Sequence, residues 1–308
     1  MGAEIANPQL GWNVAHDVSE LVEYHFMVNA LLAGGIVAVM AGLVGWMMVL
    51  RREAFAGHTL AMMAFPGASA AALIGIPAAW GYFAFCGMGG LAIGRLSSGE
   101  RSSWSEESAG IGVVQASALA AGFLFVSLYG GVLGDLESLL FGNILGVSDN
   151  ELLLLALVAV GTLAVLAVLA RPLLFASVDP DVASARGVPV RALAGAFLVI
   201  LGLAVAATSQ ITGPLLVFAL LVMPAATAQA ITARPALSLA LTVGLALAVA
   251  WLGLGISYFS PYPAGFFIST ISFGIYVLVR AIAAVAGLLR AKRAIAVAPA
   301  PPPQGVIV

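Results

Sequence analysis

The side chains that could do chemistry inside the apolar segments of this chain are few and neutral. Asn29, Thr212, Thr227 and Gln229 lie in segments long and apolar enough to cross a bilayer. Their oxygens could line a path for a cation, and each could equally make a hydrogen bond between two helices. Apart from terminal positions, no Asp, Glu, Lys or Arg falls within a predicted span. Pumps and many secondary carriers need such groups, so any driving force is expected to enter from elsewhere.

Two prolines interrupt the apolar segment 211–233. Pro214, which follows Gly213, and Pro224 each remove a backbone hydrogen bond, at a cost of roughly 3 kcal/mol or more in a helix interior. In lipid, such a break persists where protein or a water-filled cavity covers the freed carbonyl. The segment is therefore either a gate in the wall of a path or a kinked packing helix. Pro66 breaks the second apolar segment in the same way.

The composition predicts one all-α, polytopic membrane domain over residues 25–288. Of 308 residues, 62% are hydrophobic and 8% are charged, and the mean hydropathy is +1.10, far outside the range of soluble domains. We predict about eight or nine transmembrane helices, because the second and third segments could form one broken helix. The apolar segments are 25–50, 57–75, 77–96, 109–133, 151–170, 191–209, 211–233, 236–258 and 264–286.

The basic residues indicate the orientation. If the first connection is cytoplasmic, every Lys and Arg lies in or beside a cytoplasmic connection, as the positive-inside rule requires. The N-terminus is then outside and the C-terminus inside. Asp135, Glu137, Asp149 and Glu151 fall in outer connections. They could form an acidic mouth that attracts a cation or docks a basic partner, or they could simply keep the loops soluble.

The two ends of the chain are predicted to lie outside the membrane domain. Residues 1–24 carry four acids and no basic residue, so they do not resemble a cleavable signal peptide. Their apolar residues recur at helical spacing, which predicts an interfacial helix on the outer leaflet. The segment 289–308 ends in PAPPPQGVIV and is predicted to be a disordered cytoplasmic tail.

The longest cytoplasmic connection, 171–190, carries the signature of a short capped helix. Asp179 is placed to cap the N-terminus, Pro180 suits the first turn, Asp181 complements the helix dipole, and Gly187 suits the C-terminal cap. A rigid helix on the inner face could dock a cytoplasmic partner, or it could be an ordinary ordered loop.

Catalysis by the chain itself is not indicated. The sequence contains no G-x-x-x-x-G-K-[ST] loop, no paired carboxylates and no zinc-ligand motif in any predicted span. Cys86 is the only cysteine, so an internal disulfide is excluded. We predict neither enzymatic activity nor a covalently bound cofactor.

Three stretches, in chain order, carry a resemblance to a known family. They are FMVNALLAGGIVAVMAGLVGWMMVLRREAFAGHTLAMMAFPGASAAALIG, then LFGNILGVSDNEL followed by FASVDPDVASARGVPV, and finally ITGPLLVFALLVMPAATAQAITA. With them the chain resembles the permease subunits of ABC-type metal-ion importers, which carry zinc, manganese or iron. The resemblance covers most of the chain.

The resemblance implies a set of partners and a fold. Such permeases form homodimers in the bacterial plasma membrane and share the helical fold of vitamin B12 and siderophore importers. A cytoplasmic ATPase dimer hydrolyses ATP, and an extracellular substrate-binding lipoprotein delivers the metal ion; no nucleic acid is involved. On this resemblance the segment from Asp179 to Gly187, including Ala183, is the coupling helix that receives the ATPase.

One departure from the family concerns the substrate. The family shows an Asp and a His four residues apart, which are taken to touch the metal, where this chain has His58 and Met62. A separation of four keeps both on one helix face, but imidazole with thioether is the softer pair and suits copper(I), zinc or iron better than manganese. Both could instead be packing residues. The alternatives are a permease of the same fold for a chelate or another small solute, as in the actinobacterial branch associated with surface-anchored repeat proteins, and a stand-alone secondary carrier, which the lack of ionisable groups disfavours.

Overall fold

The computed structural model describes residues 20–96, 104–129, 142, 146–214 and 217–297. The described residues form helices and contain no β-strand, which confirms the all-α prediction. Residues 20–23 are helical, whereas residues 1–19, which hold most of the predicted interfacial helix, lie outside the described residues. The longer elements are α1 (His25–Leu50), α2 (Ala54–Ile74), α3 (Ala78–Leu96), α4 (Trp104–Tyr129), α5 (Asp149–Val178), α6 (Pro180–Ala185), α7 (Val190–Thr212), α8 (Val217–Ile231), α9 (Pro235–Tyr258) and α10 (Ala264–Val297).

Among the described residues, seven helices are long and apolar enough to cross a membrane, slightly fewer than the eight or nine predicted. The apolar segments that fall short correspond to α3 and α8. Helix α8 has 15 residues and is therefore only about 22 Å long, against a hydrocarbon core of about 30 Å. Helix α3 has 19 residues, of which five are glycines, and it carries a basic residue, Arg95, in its last turn.

The break between α7 and α8 differs from the prediction. Helix α7 continues through Thr212 and ends at Gly213, which has φ +74° and ψ +154°, and Pro214 follows it in a turn. Residues 211 and 212 therefore belong to the preceding helix rather than to the segment that contains both prolines. The backbone of Gly213 lies in a region that only glycine adopts easily, so the helix cannot run on.

Helix α1 lies inside the bundle and packs against α5, α7, α8 and α9. Its glycines allow close approach: a Cβ at Gly42 would lie 3.2 Å from the backbone of Val243, and one at Gly45 would overlap the carbonyl of Leu221. Trp46 Nε1 donates a hydrogen bond to Ser238 Oγ at 3.0 Å. These contacts hold α1 to both α8 and α9 through small residues, which is the usual packing of membrane helices.

A second packed group consists of α2, α3 and α7. Gly67 of α2 faces Gly81 of α3 backbone to backbone, and Gly90 of α3 meets the carbonyl of Leu198 of α7. Pro66 is buried inside α2, beside Gly122 of α4. Helix α2 runs on through Pro66 rather than breaking there as predicted. Glycines at these crossings let neighbouring helices enclose it on several sides, which shields the carbonyl that the proline leaves without a hydrogen bond.

Helices of alternating direction place the arginines at one end of the bundle, which we call the arginine-rich end. Contacts such as Gly34 with Leu254 and Gly42 with Val243 show that α1 and α9 are antiparallel. The opposite end carries acids and no described arginine side chain. The described arginine side chains at or near this end are Arg51, Arg52, Arg95, Arg171, Arg186, Arg191 and Arg234, and Arg280 lies at the middle of α10.

The last helix is longer than the sequence analysis predicted. Helix α10 extends to Val297, so residues 289–297 are helical rather than disordered. The reason is local composition, because LRAKRAIAV is made of residues with good helix propensity and proline first appears at Pro299. Residues 298–308 lie outside the described residues.

Candidate functional site

His58 and Met62 lie one turn apart on α2, and both side chains are half-buried. The His58 ring makes an edge-to-face contact with Phe218 of α8, with 5.5 Å between ring centroids and 82° between ring planes. The next residue, Met63, is buried and its sulfur packs against Gly89 of α3. The predicted pair therefore lies on the α2 face that approaches the proline-broken α8, whereas Met63 serves the helix packing.

The neutral polar residues do not come together in one site. Thr227 Oγ1 donates to the carbonyl of Met223 in its own helix at 2.7 Å. Gln229 Nε2 donates to the carbonyl of Trp46 at 3.0 Å, which links α8 to α1. Gln229 thus makes the contact between two helices that the sequence left open as its alternative role, whereas Thr227 bonds within its own helix. The side chain of Thr212 lies outside the described residues.

Asn29 lies elsewhere, in a polar cluster at the end of the bundle opposite the arginines. Its Nδ2 donates to Asp149 Oδ1 at 2.7 Å and to the carbonyl of Val147 at 3.3 Å. His25 Nε2 lies 3.0 Å from the same carboxylate oxygen. Asn29 is buried, while His25 and Asp149 are largely exposed. The sequence assigned Asn29 to the path and Asp149 to the mouth, and the structure joins them in one cluster.

The start of α5 fixes the position of this carboxylate. Ser148 and Glu151 form a capping box, in which each side chain bonds to the backbone N–H of the other residue. Asp149 lies between them in the first helical turn, near the positive end of the helix dipole. Asp135 and Glu137, the other predicted mouth residues, lie outside the described residues. Within the part of the chain that the structure describes, no group of three or more His, Cys, Asp or Glu side chains could hold a metal.

Helix α6 has the caps that its sequence predicts. Asp179 Oδ1 accepts a hydrogen bond from the backbone N–H of Val182 at 3.0 Å, and Pro180 occupies the first turn with Asp181. At the other end Gly187 has φ +80°. The N–H of Gly187 donates to the carbonyl of Ser184 at 2.9 Å, which closes the C-terminus in the manner of a Schellman motif.

Helix α6 is a surface element anchored at one point. Ala183 is fully buried, while Asp179, Pro180, Asp181 and Gly187 are exposed. The N–H of Val188 donates to the carbonyl of Ala183 at 3.0 Å. The helix thus presents a rigid polar face at the arginine-rich end of the bundle.

Arg51, which sequence reasoning did not single out, connects the base of α6 to the rest of the bundle. Its guanidinium forms an ion pair with Glu53 at 2.8 Å and donates to Ser177 Oγ at 3.2 Å. The guanidinium carbon also lies 5.2 Å from the ring centroid of Phe197 in α7, a distance typical of a cation–π contact. Ser177 precedes Asp179 by two residues, so one side chain joins the end of α1, the end of α5 and α7.

These elements together define a multi-span membrane transport protein. A half-buried histidine and methionine lie next to α8, a short helix that contains Pro224, and a capped helix lies at the arginine-rich end. The chain belongs to the ABC 3 transport family, which matches it over residues 23–283.

Relatives from several bacteria share most of the chain. The manganese transport system membrane protein MntC of Halalkalibacterium halodurans is 31% identical over 80% of this chain and 84% of its own length. The manganese import system permease protein ScaB of Streptococcus parasanguinis is 31% identical over 78% of this chain and 85% of its own. The solved structure of PsaBC from Streptococcus pneumoniae in complex with Fab has a TM-score of 0.76 at 27% identity, covering 86% of this chain and 95% of that one. The predicted family and the helical permease fold are confirmed.

Proposed function

We propose that this chain is the membrane-spanning permease subunit of an ATP-driven importer of divalent metal ions of the zinc, manganese and iron class. The observation that carries the proposal is the similarity, over about four-fifths of the chain, to proteins named as manganese transport permeases. The absence of a phosphate-binding loop from the sequence fits a chain whose ATP is hydrolysed by a separate ATPase subunit.

Helix α6 is the proposed contact for the ATPase. Its exposed face offers Asp181 and Arg186 to a partner, and its buried Ala183 carries any displacement into the bundle. Movement of α6 pulls on Ser177, and Arg51 connects Ser177 to the turn before α2 and to α7. Since α2 carries His58, this chain of contacts links the ATPase side to the proposed path.

The substrate path lies between α2 and α8 in this proposal. His58 and Met62 provide an imidazole and a thioether on one face, and Phe218 packs at the edge of the imidazole. Helix α8 can change its tilt because Gly213 and Pro214 separate it from α7 and Pro224 interrupts its own hydrogen bonds. Such a tilt would open or close the face that holds the pair.

A second candidate function follows from the same two residues. If the pair does not bind a metal ion, the cargo is a chelate or another small solute carried by the same fold. The observation that favours this alternative is that His58 and Met62 occupy the positions where the resemblance implies an Asp and a His. A pair without a carboxylate attracts a free divalent cation less strongly.

The proposed assembly is a homodimer of the permease in the bacterial plasma membrane, with an ATPase dimer at the arginine-rich end. A substrate-binding lipoprotein would dock at the opposite end, where Asp149 and Glu151 are exposed. The segregation of the arginines supports an N-terminus outside and a C-terminus in the cytoplasm.

Co-purification of the ATPase tests the proposal at α6. In Gly187→Val, a β-branched residue replaces glycine at φ +80°, which costs roughly 1–2 kcal/mol of local strain and opens the cap. We expect this variant to lose the ATPase and metal uptake. The matched control is Gly244→Val, at an exposed position on α9 where no atom lies within 4 Å of a Cβ. Undiminished ATPase binding and uptake in Gly187→Val would contradict the role of α6.

A further inference from the structure

A groove of about 350 Å³ opens between α3 and α7 at the arginine-rich end of the bundle. We propose that this groove binds an anionic phospholipid, with Arg95 and Arg191 holding the phosphate headgroup. The proposal is independent of the metal that the permease carries. It depends on the predicted orientation only in assigning the lipid to the inner leaflet.

The floor of the groove is formed by glycines from the two helices. The helices touch where a Cβ at Gly94 would lie 3.2 Å from the Cα of Gly195. The space on the other side of Gly195 is open, because no atom lies within 4 Å of the place where its own Cβ would be. The groove therefore remains open beside Gly195, although α3 and α7 are in close contact at Gly94.

The two ends of the groove differ in polarity. Arg95 near the end of α3 and Arg191 at the start of α7 lie at one end, and both are exposed. Leu91 and Val199 line the other end, and none of the lining residues is acidic. Val199 lies eight residues beyond Arg191, which corresponds to about 12 Å along the helix. The charged end is thus at the level of the headgroups and the apolar end is inside the hydrocarbon layer.

This polarity matches a phospholipid rather than a soluble anion. A guanidinium can donate two parallel hydrogen bonds to a phosphate, and two arginines together suit a headgroup that carries a net negative charge. A free phosphate would use only the charged end and would leave the apolar end of the groove empty. Basic pockets between transmembrane helices on the cytoplasmic side commonly hold anionic headgroups.

Native mass spectrometry of the full-length permease in detergent tests the proposal, with phosphatidylglycerol and phosphatidylcholine as probes. We expect the protein to retain phosphatidylglycerol more strongly. Each arginine should contribute roughly fivefold in affinity, so Arg95→Gln with Arg191→Gln should weaken retention about 25-fold. The matched control is Arg234→Gln, which removes an exposed arginine at the same end of the bundle but outside the groove, and it should retain the lipid as the wild type does.

Gly195→Leu provides a second variant that keeps both arginines. Its side chain fills the open space in the groove, so it should reduce the binding of phosphatidylglycerol while leaving the protein's charge unchanged. If the double arginine variant fails to fold, this variant decides the question. Unchanged retention of phosphatidylglycerol in Gly195→Leu would overturn the proposal.

Two further measurements test whether a free anion or the ATPase, rather than a lipid, occupies the groove. Inorganic phosphate at millimolar concentration should not displace the lipid; complete displacement would make the groove a site for a free anion. Addition of the ATPase subunit should leave the lipid bound. Displacement of the lipid by the ATPase would mean that the two arginines belong to a protein docking surface, and the proposal would be wrong.

Discussion

At the level of single side chains, Arg51 contacts residues from several parts of the bundle that are distant in sequence. Its contacts reach Glu53 in the next turn, Ser177 at the end of α5 and Phe197 in α7. Its side chain is only 10% exposed, so the ion pair with Glu53 is shielded from solvent. A shielded, hydrogen-bonded charge pair is held more rigidly than a surface pair, which is what a mechanical connection requires.

Substitution of Arg51 separates stability from coupling. In Arg51→Gln the Glu53 carboxylate loses its cation, and we expect a loss of stability of about 2 kcal/mol. In Arg51→Gln with Glu53→Gln, the uncompensated charge is removed and much of the stability should return. Thermal unfolding of the purified permease measures this effect.

Coupling should respond differently in the same two variants. Neither contains the guanidinium that connects Ser177 with Phe197, so both should show ATP hydrolysis that no longer depends on the transported metal. A double variant that couples as well as the wild type would show that Arg51 has only a structural role.

His58 and Met62 carry the prediction about the substrate. In His58→Ala with Met62→Ala both donor groups are lost, and we expect at least a tenfold decrease in the uptake of a soft or borderline ion, because a ligand pair contributes more than about 1.4 kcal/mol to binding. Uptake of zinc, iron, copper and manganese by cells, measured by elemental analysis, distinguishes the ions. Met63→Leu conserves the volume of a packing residue and serves as the control. If the double variant takes up each of the four ions as fast as the wild type does, the result would favour the chelate alternative.

At the level of elements, the proposed movement of α8 depends on the break between α7 and α8. Gly213, with φ +74° and ψ +154°, is followed by Pro214, and neither residue can extend a helix. Helix α7 therefore ends at Gly213, and in the proposed function this break lets α8 reorient as a short unit.

Gly213→Ala tests the role of this break. A Cβ in that backbone region costs about 1–3 kcal/mol, so we expect a lower unfolding temperature and reduced uptake. Gly274→Ala is the matched control, because Gly274 lies in α10 with open space around it, and alanine favours the helix. If Gly213→Ala leaves both quantities unchanged, neither stability nor uptake depends on the backbone conformation of Gly213.

The elements also show what the sequence could predict. Hydropathy located the apolar segments, because their composition differs sharply from that of the connections, and cap residues located α6. Hydropathy could not show that residues 211 and 212 belong to α7, because the apolar run continues through Gly213. The φ and ψ angles of Gly213, which end the helix, cannot be read from composition. The contacts of Arg51 with Ser177, 126 residues away, were equally invisible, since pairing between distant positions depends on how the helices pack.

At the level of the whole molecule, the two ends of the helix bundle differ in charge. The described arginine side chains other than Arg280 lie at or near one end of the bundle, and the cluster of His25, Asn29 and Asp149 lies at the other. Alternating helix directions connect the two ends. In the proposed assembly the arginine-rich end faces the ATPase and the opposite end receives the substrate, with α8 between them.

In the proposed function, ATP hydrolysis by a partner drives metal ions through this chain. The most direct measurement is the accumulation of metal in proteoliposomes that contain the permease, its ATPase and its substrate-binding protein. We predict accumulation that requires ATP on the side of the arginine-rich end and that Gly187→Val abolishes. Metal uptake that proceeds at the same rate without ATP or without the ATPase would contradict the claim.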